Sequence, residues 1–212
     1  MRVIEFNEIA RTVTAFLTPY GINRTKDKYH RNFLSFVDDN GWFVIIIDFS
    51  KNEYMQYDYF SISIDFNWYL EDSFFNTIGY SDEFKNYENT NKTYEKIISK
   101  VLEYRNYMKN IKTAEKYILK CRINGCSNVW KNYHRGIISG LAGNIENLNK
   151  HFDKVLAASI KNNQWRIELK ERTLELRNTA NKDLREFVRK VVNIINKTRE
   201  LKKLDKMEII IE

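Results

Sequence analysis

The sequence predicts an α+β protein: an antiparallel sheet of three or more strands with an N-terminal helix, followed by a C-terminal helical bundle. Short apolar runs typical of strands occur over residues 33–68, with a period of two over 57–68, whereas beyond residue 91 apolar residues recur at three and four residues. Charge changes at the same place, because residues 1–90 hold 8 Lys and Arg against 14 Asp and Glu, and residues 91–212 hold 27 against 14. We therefore expect an α+β region at 1–90 and a helical region at 91–212, packed together as one unit.

The N-terminal region begins with a helix and continues with a hairpin. Apolar residues recur at helical spacing over 3–18, and Pro19 and Gly21 end that helix. Residues 33–37 and 42–49 are typical of two strands, and Asn40-Gly41 between them is a strong hairpin signal. The second strand is apolar at nearly every position, which predicts a central strand buried on both faces.

The segment 57–68 shows the clearest alternation. Apolar and polar residues take turns, and a period of two places the apolar set on the core and the polar set towards water or a ligand. A hairpin centred near Glu53 would place Asp48 opposite Tyr59, so we expect Asp48 and Asp65 to be ordinary solvated or strand-end acids rather than an acid/base pair. The two sets are Phe60, Ile62, Ile64, Phe66 and Trp68, and Ser61, Ser63, Asp65 and Asn67.

Four helical patterns follow residue 91. They cover about 94–118, 129–141, 145–160 and 169–201, the last as one helix or as two divided at Asn178 to Asn181. The apolar stripe of the last pattern is wider than a coiled-coil seam, which favours packing inside the chain's own bundle. Residues 205–212 are expected to form a short strand or a tail.

Motifs of catalysis and cofactor binding are missing from the sequence. It has no Gly-rich phosphate loop, no His-Glu-x-x-His and no Gly-x-Ser-x-Gly. Cys121 and Cys126, with His134 and His151, nominally offer four zinc donors, but their spacing matches no compact zinc module. We predict no catalytic residue, no metal and no cofactor. A hydrolase stays a third hypothesis, because active sites form from distant residues.

The residues that we predict to bind a partner lie around the second hairpin. Exposed Tyr and Met are typical of protein-binding surfaces. The alternative is a tyrosine-rich hairpin tip that packs on its own helices. The candidates are Tyr54, Met55, Tyr57 and Tyr59 at the tip, and Ser61, Ser63 and Asp65 on the polar positions of the strand.

The basic helices carry an alternative hypothesis, binding of nucleic acid. Residues 166–206 contain 13 Lys and Arg against 7 Asp and Glu, and Arg185, Arg189 and Lys190 are the candidate phosphate contacts. Acids at three- and four-residue spacing favour ion pairs within the helix instead. No apolar run approaches the length of a membrane span and no signal peptide is visible, so we expect a cytoplasmic protein with reduced thiols and no membrane contact.

Four segments within residues 5–70 carry a family resemblance. They are Leu17-Thr18-Pro19-Tyr20-Gly21-Ile22, Lys28-Tyr29-His30-Arg31, Ile46-Ile47-Asp48-Phe49-Ser50-Lys51 and Phe60-Ser61-Ile62-Ser63-Ile64. Together they resemble a bacterial group catalogued as domain-of-unknown-function family 4304, although Ile22 stands where that group usually has Phe, and its Gln is absent after Phe49. The resemblance implies a fold and no site. Some small bacterial proteins of this kind resemble immunity or accessory proteins of toxin systems, so our leading hypothesis is a non-enzymatic, immunity-like protein with a protein partner.

Overall fold

The structure is a computed structural model that describes residues 11–24, 33–52, 57–71, 77–82, 91–121, 123, 127–159 and 164–211. It confirms the predicted fold class, with an N-terminal helix, an antiparallel sheet of five strands and a C-terminal run of helices. The chain divides into two compact units, one of Met1–Phe66 with Asn76–Asn106 and one of Asn67–Phe75 with Tyr107–Glu212. The helix after residue 90 therefore belongs to the sheet unit, and a short segment after the fourth strand belongs to the helical unit.

The sheet follows the order of the chain. Its strands are β1 (Asn23–Arg24), β2 (Phe33–Asp39), β3 (Phe43–Asn52), β4 (Tyr57–Phe66) and β5 (Ile78–Asp82), each antiparallel to its neighbour. The predicted turn at Asn40-Gly41 joins β2 to β3, and Gly41 adopts a φ of 87°, which glycine reaches without a steric penalty. Residues 43–47 are all buried, which confirms that β3 is covered on both faces.

Two helices belong to the sheet unit: α1, described over 11–17, and α2 (Asn91–Tyr107). The ring of Phe16 on α1 lies 4.9 Å from the ring of Tyr94 on α2. Arg105 on α2 donates two hydrogen bonds, of 2.8 and 2.9 Å, to the carboxylate of Asp38, and another of 2.9 Å to the carbonyl of Tyr20. Such a bidentate pair fixes both distance and orientation, so it ties α2 to β2 and to the turn after α1.

The helical unit contains α3 (Ile111–Lys120), α4 (Asn128–Leu141), α5 (Ile145–Ala157), α6 (Gln164–Lys182) and α7 (Leu184–Leu201). A single helix over 94–118 is wrong, because the Asn110 side chain accepts a 2.9 Å hydrogen bond from the Thr113 amide and starts a new helix there. The last pattern is two helices, and the break between them lies at Asp183, because Asn178 to Asn181 are part of α6. Asp183 divides them by accepting hydrogen bonds from the amides of Arg185 and Glu186.

Two further features are the C-terminal tail and the polarity of the described helices. Residues 204–211 form the tail that was one of the two expectations, with no helix or strand in them. None of the described helices combines the length and the apolar character that crossing a membrane requires.

Two glycines allow α4 to approach its neighbours closely. A Cβ at Gly136 would overlap the ring of Phe152 on α5. A Cβ at Gly140 would lie 2.5 Å from Cε1 of Phe187 on α7, well inside van der Waals contact. The backbone of α4 therefore packs directly against large side chains of both partner helices.

Replacing Ile64 by Ala tests the core of the sheet unit. Ile64 is fully buried and lies between Ile45 and Ile78 in the sheet, so the free energy of unfolding should fall by about 2–5 kcal/mol. Leu102→Ala on α2 is the matched control, because Leu102 is 47% exposed and its truncation should cost about 0.5 kcal/mol or less. Equal losses for the two variants in urea unfolding would contradict this core.

Replacing Gly136 by Ala tests the close approach of α4 and α5. Overpacking costs about 1–3 kcal/mol, which exceeds the roughly 1 kcal/mol that Ala gains over Gly in a helix. The melting temperature should therefore fall. Phe152→Leu in the same chain should recover part of the loss, because it removes ring atoms that the new methyl group meets. A Gly136→Ala variant more stable than the wild type would refute this packing.

Candidate functional site

The structure describes little of the tyrosine-rich hairpin tip. Tyr54 and Met55 lie outside the described residues. Tyr57 and Tyr59 lie in β4, where they pair with the end of β3, but their side chains are not described. A binding role for these four residues therefore stays a prediction.

The polar positions of β4 do not face water. Ser63 is 1% exposed and Asp65 is fully buried, so water, one of the two expected surroundings of this face, is wrong for both, while Ser61 is partly exposed. The physical reason is that both faces of β4 are covered here, since Ile62 and Ile64 on the opposite face are buried as well. The Thr77 hydroxyl donates a 3.4 Å hydrogen bond to Asp65 Oδ1. Buried polar groups usually have such a partner.

The two carboxylates of β3 and β4 are too far apart for joint catalysis. Asp48 lies opposite Ser61, two residues from the expected Tyr59, and accepts a hydrogen bond from the Ser35 hydroxyl. Asp65 lies opposite Val44, four residues from Asp48 along β3, which corresponds to about 13 Å. Carboxyl pairs that share one reaction, as in glycosidases, lie about 5–9.5 Å apart. The geometry agrees with two separate acids, although Asp65 is buried rather than solvated.

The three basic residues proposed for nucleic acid are largely neutralised by neighbours. Arg189 pairs with Glu186 one turn earlier on α7, as the spacing predicts. Lys190 pairs with Glu175 of α6, so this ion pair joins two helices. Only Arg185 among the three has no carboxylate partner among the described residues. This part of α7 is a mixed surface of both charges.

The helical unit contains a cluster of rings that sequence reasoning did not assemble. We call it the aromatic cluster. It joins the segment after β4 to α4 and α6, and it uses three of the four tryptophans of the chain. Its members are Trp68, Tyr69, Trp130, Tyr133, His134 and Trp165.

The segment Asn67–Leu70 enters this cluster through its backbone. The Tyr133 hydroxyl donates to the carbonyl of Trp68 at 3.1 Å, and Arg172 donates to the carbonyl of Tyr69 at 3.1 Å. The amide of Leu70 donates to Thr198 Oγ1 at 3.0 Å, while Leu70 itself adopts a positive φ of 62°. A left-handed leucine is uncommon, so the surrounding contacts must hold it in place.

A buried lysine that directly follows α7 contacts the same segment. Lys202 donates to Asn67 Oδ1 at 2.9 Å, and its Nζ lies 4.6 Å from the centre of the Tyr69 ring. Lys202 is 8% exposed, so its ammonium group has lost most of its water. The amide oxygen and the negative ring face replace part of that hydration.

His134 is the one imidazole in the aromatic cluster, and it is held neutral. The Trp68 indole donates to His134 Nδ1 at 2.8 Å, which leaves the proton of the neutral ring on Nε2. Burial, followed by the charge of Lys202, lowers the pKa of His134 to about 3. A general acid or base works best with a pKa near the working pH. His134 therefore serves as a hydrogen-bond acceptor rather than a catalyst.

The exposed end of the cluster is formed by Trp130, Trp165 and Arg166, which we call the tryptophan patch. The two indoles are nearly parallel, with 5.8 Å between ring centres and 11° between planes. Trp130 also stacks on His134 at 5.8 Å, and the Arg166 guanidinium lies 5.2 Å from the Trp165 ring. All three side chains are partly exposed.

The cysteine and histidine donors do not converge in the described part of the chain. Among the described residues, no group of three or more His, Cys, Asp or Glu is arranged to hold a metal ion. Burial raises the pKa of Cys121 to about 11, despite the nearby Arg135, which disfavours a thiolate ligand. Cys126 lies outside the described residues.

Comparison with known proteins adds no relative. No family model, no curated protein and no solved structure matches the chain.

The aromatic cluster left one weak signal in the sequence. Trp165 is the single aromatic residue of α6, whose other residues are mostly charged or polar. A large ring in such a helix indicates a specific contact. The stacking partner, 35 residues earlier on α4, has no such signal, because Trp130 fits an ordinary amphipathic pattern.

Replacing His134 by Gln tests its neutral, buried state. The folded pKa of about 3 lies below the ordinary 6.5, so below pH 6.5 the unfolded chain takes up a proton that the folded chain refuses. Stability that is present above pH 6.5 is therefore lost as the pH falls towards 3, at up to about 1.4 kcal/mol per pH unit.

Urea unfolding at a series of pH values measures this effect. The difference between the wild type and His134→Gln isolates His134, because His151 titrates in both chains. The Gln side chain still offers an acceptor to Trp68. Parallel pH profiles for the two chains would show that His134 is not held neutral.

Proposed function

We propose that this chain is a non-enzymatic protein-binding module whose helical unit contacts its partner through the tryptophan patch. The observation that carries the proposal is a pair of stacked, partly exposed indoles with a guanidinium over one of them. Trp, Tyr and Arg are enriched among the residues that dominate protein–protein affinity. Trp and Tyr bury a large area on contact at a low cost in side-chain entropy.

The rigidity of the patch supports binding to a preformed surface. Trp130 has ring contacts with Tyr69, Tyr133, His134 and Trp165, so its orientation is fixed before any partner arrives. Arg166 is held by a 3.0 Å hydrogen bond to the carbonyl of Ser159. Side chains that are already ordered lose less entropy on association, which raises affinity.

The chemistry of the described residues supports binding over catalysis. His134 is neutral and buried, the pKa of Tyr133 is raised by burial, and Asp48 and Asp65 are separated along the sheet. His134 and Tyr133 are buried and their pKa values are shifted away from neutral pH, and the two carboxylates lie too far apart to act as one acid/base pair. The resemblance to family 4304 adds the narrower proposal of an immunity-like inhibitor, which acts by binding a toxin in a stoichiometric complex.

Binding to the products of the neighbouring genes tests the proposal. A toxin encoded beside this chain should arrest growth when it is produced alone, and co-production of the chain should restore growth. In calorimetric titration of that complex, Trp165→Ala should weaken affinity by at least about 30-fold, or about 2 kcal/mol. Leu174→Ala is the matched control, since Leu174 is 47% exposed on the same helix and lies outside the patch.

Two results decide against the proposal. The first is a complex of unchanged affinity with Trp165→Ala, when a thermal melt shows that this variant is folded. The second is an equal loss with Leu174→Ala, because a contact centred on the patch cannot respond to both. Arg166→Ala supplies a second variant that removes no buried ring and should also weaken the complex.

A further inference from the structure

The surface of α3 carries a row of lysines that the protein-binding proposal does not use. Lys112, Lys116 and Lys120 follow one another at four-residue steps, and Lys109 precedes them by three. All four are exposed. The buried residues of α3, which are Ile111, Ala114 and Ile118, lie on the opposite side of the helix. We call the four lysines the lysine face.

The lysine face is not neutralised by the protein. None of its four ammonium groups forms an ion pair or hydrogen bond with a residue that the structure describes. The single acid of α3, Glu115, accepts a 3.0 Å hydrogen bond from the Asn144 side chain. This arrangement contrasts with α7, where Arg189 and Lys190 each have a glutamate partner. Charge on α3 is therefore available to an external anion.

Neighbouring helices extend the positive field. Arg135 of α4 donates to the carbonyls of Ile118 and Cys121 at 3.4 and 3.2 Å, so its charge lies at the C-terminal end of α3. On α5 the pKa of His151 is lowered to about 4, first by burial and then by Arg135, Lys154 and Lys150. Burial is the larger cause of this pKa shift, and the three cations add to it, so positive charge of α4 and α5 lies near His151.

A pair of tyrosines lies beside the lysine face. The rings of Tyr107 and Tyr117 are 4.2 Å apart and inclined by 10°, and both residues are partly exposed. Tyr117 lies three residues before Lys120, so the two side chains are neighbours on the surface of α3. Stacked rings next to a basic stripe are the two parts from which proteins build surfaces for single-stranded nucleic acid.

We propose that the lysine face and the Tyr107–Tyr117 pair bind single-stranded nucleic acid without sequence preference. Lysines four residues apart on a helix are separated by about 6 Å along its axis, and such a regular row suits an anion with repeated charges. The phosphate backbone supplies the repeated charges, and the tyrosine pair supplies a surface on which a base stacks. An acidic protein would match the charge as well, but a regular row of cations beside a ring pair fits an anion that repeats both phosphates and stackable bases.

Fluorescence anisotropy with labelled oligothymidylate of about 16 nucleotides tests the proposal. Affinity should fall between about 50 and 200 mM salt, with a slope of log K against log salt near −3, because four phosphate contacts contribute about −0.7 each. Lys112→Gln with Lys116→Gln should reduce the slope by about 1.4 and weaken binding at low salt. Tyr117→Ala should weaken binding with the slope unchanged, whereas Tyr117→Phe should bind as the wild type does.

The control is Arg189→Gln with Lys190→Gln, which removes the same charge from α7 and should leave binding unchanged. Equal losses in the two double variants would mean that net charge alone attracts the oligonucleotide, and the proposal would fall. It would also fall if the wild type did not bind at low salt. Polyglutamate that displaces the oligonucleotide at equal charge concentration would assign the lysine face to an acidic protein instead.

Discussion

The helical unit depends on burying a stretch of non-helical backbone. Residues 67–70 lie in no helix or strand, so their amides and carbonyls lack the regular partners that secondary structure supplies. Tyr133, Arg172 and Thr198, from three different helices, provide those partners. Loss of such a partner leaves a buried polar group unsatisfied, at about 1–3 kcal/mol each. The positions of α4, α6 and α7 around this segment are therefore linked to one another.

The same burial determines which chemistry the helical unit can support. Removing His134 from water, beside the ammonium group of Lys202, keeps the imidazole neutral and directs its Nδ1 to the Trp68 indole. What reaches the surface is the far end of the cluster, where Trp130 and Trp165 are partly exposed. A rigid aromatic surface with no poised acid or base suits recognition. The proposal of a binding module follows because the buried part of the aromatic cluster excludes water, whereas the tryptophan patch reaches the surface.

Whether a basic side chain of this protein can bind an external anion depends on its acidic neighbours more than on the net charge of the chain. A formal net charge of +7 describes the whole chain. On α7 the spacing of acids and bases, together with the packing of α6, pairs Lys190 with Glu175. On α3 equally basic residues extend from the side opposite the core and find no carboxylate in the described structure. Composition alone favoured α7 for phosphate binding, whereas the environment of each group favours α3.

The sequence by itself determined the local structure, because periodicity and turn residues act over a few neighbours. It predicted β3 as a doubly buried strand, the turn at Asn40-Gly41 and the alternation of β4. It did not predict the helix start at Asn110, where a short polar side chain overrides a continuous apolar pattern. Periodicity also separates the two faces of β4 without revealing what covers each one, so Ser63 and Asp65 are buried against expectation. The aromatic cluster was decided by tertiary structure alone, since contact between Trp68, Trp130 and Trp165 requires packing of segments far apart in the chain.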